Sequence, residues 1–190
     1  MIWNNYIGTD YLIPSEICEH IINVGENKLN SKFGASTKDE FRIDQAVPFL
    51  ESFASYRNHK SYDLVQEAIS NSIDNFMDNF GIGRADRESY FHNEHKFQKS
   101  KADGGFFSWH YETQGDFFKK INRRFVWMLY LNTVEKGGKT QFFKSKDEDI
   151  IEIKPEVGKL VFWPAGETHW HRSAPDLKET KYILTGWVLR

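Results

Sequence analysis

Cysteine is almost absent from this sequence, with one residue, Cys18, among 190. A single thiol excludes an intramolecular disulfide and favours a reducing compartment. The chain does not start with basic residues followed by an apolar run, so no signal peptide is predicted. It also lacks the roughly 18 consecutive apolar residues that a bilayer-spanning helix needs. We therefore expect a cytoplasmic protein without a membrane partner.

An excess of charge of either sign is lacking too, since 25 basic and 27 acidic residues give a net charge of -2. Without a basic surplus, nucleic acid is not an expected partner. Hydrophobic residues, in contrast, make up 39% of the chain and aromatic residues 16%. That composition suffices for one buried core at this length. We therefore predict a single domain over residues 1–190.

Two amphipathic helices are predicted in the first half of the chain, about residues 1–88. The first begins after Pro14 and ends near Gly25, and the second covers Ser61 to Phe80 and stops at Gly81. Between them the chain from Asn30 to about Tyr56 is polar and irregular. This pattern indicates a mobile segment with aromatic anchors.

The second half, about residues 89–190, alternates short aromatic and β-branched runs with turn residues. The pattern is typical of a barrel or sandwich of antiparallel strands, and the helices make the fold class α+β, mainly β. The predicted strands are Tyr90 to Lys99, Phe106 to Tyr111, Phe125 to Asn132, Thr140 to Phe143, Ile150 to Ile153, Lys159 to Phe162 and Tyr182 to Leu189. The loop from Thr113 to Arg124 is long enough to cover a site, with an ordinary solvated hairpin as the alternative.

The most informative short pattern is His110-Tyr111-Glu112. In an extended backbone alternate side chains share a face, so His110 and Glu112 point the same way. An imidazole and a carboxylate are two of the three ligands in the two-His-one-carboxylate triad, which suits non-haem Fe(II). Composition alone predicts about one His-x-acid pair in the chain. A second pair, His92 and Glu94, does occur, and we interpret it as a surface pair.

Four further motifs follow this pair in a fixed order. They are Leu129-Tyr130-Leu131-Asn132, Gly137-Gly138-Lys139-Thr140-Gln141-Phe142, His171-x-x-x-Pro175 and Lys181-Tyr182. Together the five motifs resemble those of the Fe(II)/2-oxoglutarate dioxygenases, in particular the prolyl 4-hydroxylase-like branch. The resemblance covers about the last hundred residues. It implies a double-stranded β-helix, or jelly roll, supported by the N-terminal helices.

The resemblance also implies roles for individual residues. His110, Glu112 and His171 would ligate Fe(II), and Lys181, ten positions after His171, would pair with the 5-carboxylate of 2-oxoglutarate. A carboxylate carried into a partly desolvated pocket needs such a charge partner. His169 would share a strand face with His171, and the motif spacing favours His171 as the ligand. His169 is then a supporting group behind the ligands or an exposed histidine.

Two positions depart from the family pattern. Glu112 stands where relatives more often have Asp, and Ser100 stands where they often have a cosubstrate-binding Tyr. Tyr130 is expected to supply that contact, with a core aromatic as the alternative. Three further residues are expected to line the pocket, although each is also an ordinary strand residue: Thr140, Thr185 and Trp187.

The implied activity is hydroxylation of a C–H bond with O2, coupled to conversion of 2-oxoglutarate to succinate and CO2. The expected substrate is a proline-containing protein or peptide, and ascorbate would be a supporting reductant. Two alternatives remain open. One is the same chemistry on a free amino acid, nucleobase or small metabolite, and the other is a non-catalytic jelly-roll binding module.

Overall fold

The computed structural model describes residues 1–49, 54–81, 84–92, 94–113, 122–143 and 150–190. The helices are α1 (Ser15–Leu29), α2 (Ala54–Arg57) and α3 (Lys60–Phe80), followed by a 3-10 helix at Arg84–Ser89. The strands are β1 (Ile2–Asn4), β2 (Ile7–Tyr11), β3 (Ala35–Lys38), β4 (Arg42–Phe49), β5 (His95–Ser100), β6 (Gly105–Phe106), β7 (Arg123–Tyr130), β8 (Thr140–Phe142), β9 (Ile151–Ile153), β10 (Lys159–Pro164), β11 (His171–Ser173) and β12 (Lys181–Leu189).

The strands form two antiparallel sheets. The larger has nine strands in the order β1-β2-β10-β7-β12-β5-β4-β3, with β6 paired to β4, and the smaller has the order β11-β8-β9. Phe142 of the small sheet packs in one apolar cluster with Met128 and Trp163 of the large sheet. This arrangement is the double-stranded β-helix that the family resemblance implied.

Strand β7 explains why the core has two layers. Its last six residues are all buried, as expected for a strand covered on both faces. Phe125, Trp127 and Leu129 pack with the helices, whereas the alternate residues pack between the sheets. A residue period of two therefore divides one continuous apolar run between two clusters.

The predicted helices are present, with one boundary changed. Helix α3 ends at Gly81, which has φ of 64° and donates its N–H to the carbonyl of Met77. Helix α1 continues past Gly25 to Leu29, so the predicted end near Gly25 is wrong. A Cβ at Gly25 would lie 2.5 Å from the ring of Phe97. This glycine therefore permits close contact between helix and sheet, instead of ending the helix.

The segment expected to be irregular and mobile, residues 30–56, instead contributes β3 and β4 to the large sheet. Pro48 lies opposite Lys96 within β4. Pairing with β3 extends only as far as Ala46. Pro48 therefore lies where, among the described strands, only β5 pairs with β4, and a strand tolerates the loss of an N–H on such an unpaired side.

Strands β1 and β2 were not predicted, and the predicted strand from Phe106 to Tyr111 is reduced to the two residues of β6. The chain around His110 is held by an isolated bridge to His171.

His92 is buried and its Nε2 lies 3.1 Å from the Ser70 hydroxyl, so its interpretation as a surface residue is wrong. In the predicted covering loop, residues 114–121 lie outside the described part of the chain. No described helix is long and apolar enough to cross a membrane.

Candidate metal centre and cavity

Three predicted side chains meet at one point, where the chain near residue 110 pairs with the start of β11. His110 and His171 exchange two backbone hydrogen bonds, of 3.1 and 2.9 Å. The Nε2 atoms of His110 and His171 lie 3.8 and 3.7 Å from Oε1 of Glu112. One ligand atom from each residue falls within 4.8 Å of the others. Two imidazoles and one carboxylate in this arrangement could hold a divalent ion such as Fe(II).

Both histidines present the same ring nitrogen to this point. Nδ1 of His110 lies 2.8 Å from the carbonyl oxygen of Ser108, and Nδ1 of His171 lies 3.0 Å from that of His169. A carbonyl only accepts hydrogen bonds, so Nδ1 carries the proton and Nε2 keeps a lone pair. Metal-ligating histidines are oriented by such contacts. The donor set therefore fits a metal ion before any ion is bound.

The carboxylate oxygen of Glu112 that faces away from the histidines is held by two other side chains. Its Oε2 accepts a 2.8 Å hydrogen bond from Nε1 of Trp187 and a longer contact of 3.4 Å from Arg123, which leaves Oε1 directed at the histidines. Burial acts to raise the pKa of Glu112, but interactions with His171, followed by those with His110 and Trp187, outweigh it and lower that pKa to about 2. The carboxyl group is therefore ionised at neutral pH.

The surroundings of His110 keep its imidazole unprotonated at neutral pH. Burial, followed by the proximity of His171, lowers its pKa to about 4. The Phe106 ring stacks on the imidazole, with 3.9 Å between centroids. An unprotonated imidazole is the form that binds metals, so little proton release is needed on binding.

A cavity of about 270 Å³ extends from these residues along the inner face of the large sheet. Lys181, at the start of β12, lines this cavity and is only 4% exposed. Its Nζ donates to the carbonyl of Gly138 at 2.8 Å and approaches the Ser173 hydroxyl at 3.5 Å. Burial lowers its pKa to about 8, against a smaller opposing effect of Asp176. No described carboxylate forms an ion pair with Lys181, so the cavity retains an uncompensated cation.

The other predicted pocket residues divide into two groups. Thr140, Thr185 and Trp187 line the cavity, as does Ser100. Tyr130 does not line it, because its ring is fully buried and its hydroxyl donates to Oγ1 of Thr140 at 2.6 Å. Tyr130 therefore reaches the cavity only through Thr140.

His169 is separated from the triad by its own contacts. Its Nε2 lies 2.9 Å from the carbonyl oxygen of Asn5, and its Nδ1 lies 2.8 Å from the Thr168 hydroxyl. The residue precedes β11 and does not lie within it, so the expectation of a shared strand face with His171 fails. His169 lies behind the ligand strand and supports the turn between β1 and β2.

Strands β4 and β5 form a polar wall of the cavity that was not predicted from the sequence. Arg42 forms a bidentate ion pair with Asp44 at 2.8–3.0 Å, and Gln98 donates to the same carboxylate at 2.8 Å. Lys96 lies on β5 beside them and also faces the cavity. The even-numbered positions 96, 98 and 100 are all polar. That alternation was available in the sequence, but it resembled a solvent-exposed strand face.

Comparisons with known proteins agree with this geometry. Residues 95–189, half of the chain, match the 2OG-Fe(II) oxygenase superfamily, whose members use Fe(II), 2-oxoglutarate and O2. No curated protein matches the sequence. Several solved structures share the fold over nearly the whole chain.

Three of these structures are prolyl hydroxylases. The viral collagen prolyl hydroxylase of Paramecium bursaria Chlorella virus-1, solved with 2-oxoglutarate, is 20% identical, with 97% of this chain and 96% of that one covered and a TM-score of 0.72. The Pseudomonas putida prolyl-4-hydroxylase is 17% identical, with coverages of 97% and 92% and a TM-score of 0.71. A prolyl hydroxylase of Trichoplax adhaerens, in complex with a hypoxia inducible factor peptide, is 13% identical, with coverages of 97% and 83% and a TM-score of 0.70.

The family match, the shared double-stranded β-helix and the convergence of His110, Glu112 and His171 lead to the same assignment. The family predicted from the five ordered motifs is confirmed. This chain belongs to the Fe(II)- and 2-oxoglutarate-dependent oxygenase superfamily.

Proposed function

We propose that this protein hydroxylates a prolyl residue in a protein or peptide, with His110, Glu112 and His171 as the ligands of Fe(II). The observation that carries the metal assignment is the triad itself, in which both Nε2 atoms and one carboxylate oxygen converge within 4.8 Å. The bound ion would supply the activation of O2 that is coupled to oxidation of 2-oxoglutarate to succinate and CO2.

Lys181 is the proposed partner of the 5-carboxylate of 2-oxoglutarate. It is a buried cation without a described carboxylate partner. It lies at the end of the cavity, where it contacts Gly138 and Ser173. A buried charge of this kind is costly unless it is paired. Binding an anionic cosubstrate would therefore neutralise a charge that the fold itself leaves uncompensated. Thr140, whose hydroxyl accepts a hydrogen bond from Tyr130, lines the same cavity.

The remaining residues of the site position the reacting groups and form the cavity wall. Trp187 and Arg123 hold one oxygen of Glu112, so that its other oxygen faces the histidines. Apolar side chains, among them Met128 and Trp163, cover the cavity wall between the two ends. Groups that are held in fixed positions favour reaction at one positioned C–H bond over side reactions.

The prolyl substrate is inferred from the structural relatives. The similar structures from a chlorella virus, a bacterium and an animal are all named as prolyl hydroxylases, and one contains a peptide. Each shares 20% identity or less with this chain, so their likeness supports the fold and leaves the substrate as our proposal.

The test is oxygen incorporation into proline-containing peptides by the purified protein with Fe(II), 2-oxoglutarate and ascorbate. We expect a gain of one oxygen on the peptide, one succinate for each hydroxylation, and neither product with Glu112→Gln. Succinate formation without oxygen on any prolyl peptide would contradict the prolyl substrate and direct the search to free amino acids or other small metabolites.

A further inference from the structure

A second cation faces the cavity, and neither the metal nor the cosubstrate accounts for it. Lys96 is the second residue of β5, is partly buried and lines the cavity. In the described part of the chain, no acceptor lies within hydrogen-bonding distance of its Nζ and no carboxylate within ion-pair distance. The charged groups near Lys96 and the ring of Trp187 therefore determine what it can bind.

The position of Lys96 separates it from the cosubstrate end of the cavity. Lys181 pairs with Ser100 across the β5–β12 ladder, whereas Lys96 pairs with Thr185. Four residues along a strand span roughly 13 Å, so the two lysines lie at opposite ends of this wall. Lys96 is at the end that carries Trp187, whose indole is bound to Glu112.

The two carboxylates whose charge acts on Lys96, Asp44 and Glu112, are engaged by other groups. Asp44 is held by both nitrogens of the Arg42 fork and by Gln98, and Glu112 faces the histidines and Trp187. Two further cations, Arg42 and Arg123, lie close enough to act on Lys96. The Arg123 guanidinium lies 3.9 Å from the Trp187 ring centroid and the Lys96 ammonium lies 5.3 Å from it.

Burial, followed by the nearby Arg42, lowers the pKa of Lys96, and the weaker effects of Glu112 and Asp44 oppose this. The protein thus keeps an ammonium group partly desolvated beside other cations. An ammonium in that position gains more from an incoming anion than a lysine in water would.

We propose that Lys96 forms an anion subsite for the substrate, and that the substrate carries a carboxylate close to the C–H bond that is oxidised. The inference rests on the proposed function, since it concerns the substrate of that same site. 2-Oxoglutarate brings two carboxylates, and the metal and Lys181 account for both. The anion at Lys96 therefore belongs to the second substrate.

This carboxylate has two chemical sources. It is either the α-carboxylate of a free or C-terminal residue, or the side chain of an acidic residue next to the proline. The two are separated with matched neutral analogues. The first pair of probes is N-acetyl-L-proline and N-acetyl-L-prolinamide. The second pair is N-acetyl-prolyl-glutamic acid and N-acetyl-prolyl-glutamine, both amidated at the C-terminus so that only the glutamate side chain carries a carboxylate.

The experiment is calorimetric titration of each probe, under nitrogen, into the 190-residue protein loaded with Fe(II) and 2-oxoglutarate. We expect the acid of at least one pair to bind about tenfold more tightly than its neutral analogue, since a charge-assisted hydrogen bond contributes that much or more. Lys96→Met should abolish the preference, and Lys96→Arg should retain it.

Lys99→Met is the matched control. Lys99 lies on the same strand and pairs with Glu26, toward the helices, so its replacement should leave the preference for the acid intact. If Lys96→Met does not fold, Lys96→Gln provides the same comparison. Equal affinity for acid and neutral probe, no affinity for either acid, or a preference that survives loss of the Lys96 charge would overturn the subsite.

The subsite and the proposed function fail in different ways. An acid preference that depends on Lys96, with no succinate formed from 2-oxoglutarate, would refute the hydroxylase and leave the subsite in place. Hydroxylation of neutral prolyl peptides, with no acid preference in binding, would refute the subsite alone.

Discussion

The site depends on how single atoms are held in place. Each histidine of the triad donates Nδ1–H to a carbonyl two residues earlier in the chain, and one oxygen of Glu112 is held by an indole N–H. These contacts come from backbone geometry and from a residue 75 positions away. They give the same triad a defined tautomer and orientation before a metal binds.

Lys181 provides a residue-scale prediction. Lys181→Met should raise the KM for 2-oxoglutarate by about 10- to 100-fold, since the cosubstrate loses a charge-assisted hydrogen bond. The fold should be retained, because an apolar side chain of similar length replaces a buried cation. Steady-state succinate formation measures the change. Lys178→Met is the control, since Lys178 is exposed and pairs with Asp103 on the surface. An unchanged KM in Lys181→Met would contradict the assignment.

The motif spacing of the family resemblance selected His171 and Lys181, and both residues line one cavity. Their roles toward the metal and the cosubstrate stay predictions. Prediction from the sequence failed where a contact between distant residues determines the position of a side chain. His169 is turned away by the Asn5 carbonyl, and Tyr130 is separated from the cavity by Thr140. Lys96 was missed because a charged residue on a strand usually faces solvent.

At the scale of elements, the contact between α1 and the large sheet is the feature most sensitive to side-chain size. Gly25→Val would place atoms against the buried Phe97 ring, which lies 2.5 Å from the position of a first Cβ. We expect a loss of about 1–3 kcal/mol of unfolding free energy, the usual effect of overpacking. Urea denaturation measures the loss. Asn23→Val, at an exposed position of the same helix, should change stability by about 0.5 kcal/mol or less.

The predicted elements were most accurate where both faces of a strand or one helix face are apolar. Strand β7 and helix α3 match their predictions closely. Strand β4 was missed because part of it lines a polar cavity, where Arg42 and Asp44 replace the apolar residues of an ordinary core strand. A strand whose buried face serves a site has no clear hydrophobic alternation.

The stability of the whole molecule should depend on pH through His95. This residue is 2% exposed and is bonded to the Tyr56 hydroxyl and the Gln66 amide. Burial, followed by the proximity of His92, lowers its pKa from 6.5 to about 3. Below pH 6.5 the unfolded chain therefore takes up a proton that the folded protein does not. Stability should fall by about 1.4 kcal/mol per pH unit from this group as the pH decreases toward 3.

Urea unfolding at about pH 7.5 and about pH 5 tests this dependence. Wild type should lose about 2 kcal/mol through His95 between these conditions, in addition to any loss from other histidines. His95→Gln should be less stable at the higher pH and should lose less on acidification. An identical acid-induced loss in both proteins would show that His95 does not titrate as its burial requires.

The central claim is that His171, together with His110 and Glu112, holds the metal on which turnover depends. Its most direct test is Fe(II)-dependent succinate formation from 2-oxoglutarate in wild type, His171→Ala and His169→Ala, the last being a matched loss of imidazole two residues away. We expect turnover in wild type and His169→Ala, and none in His171→Ala. Turnover that survives in His171→Ala, or that is lost only in His169→Ala, would contradict the account.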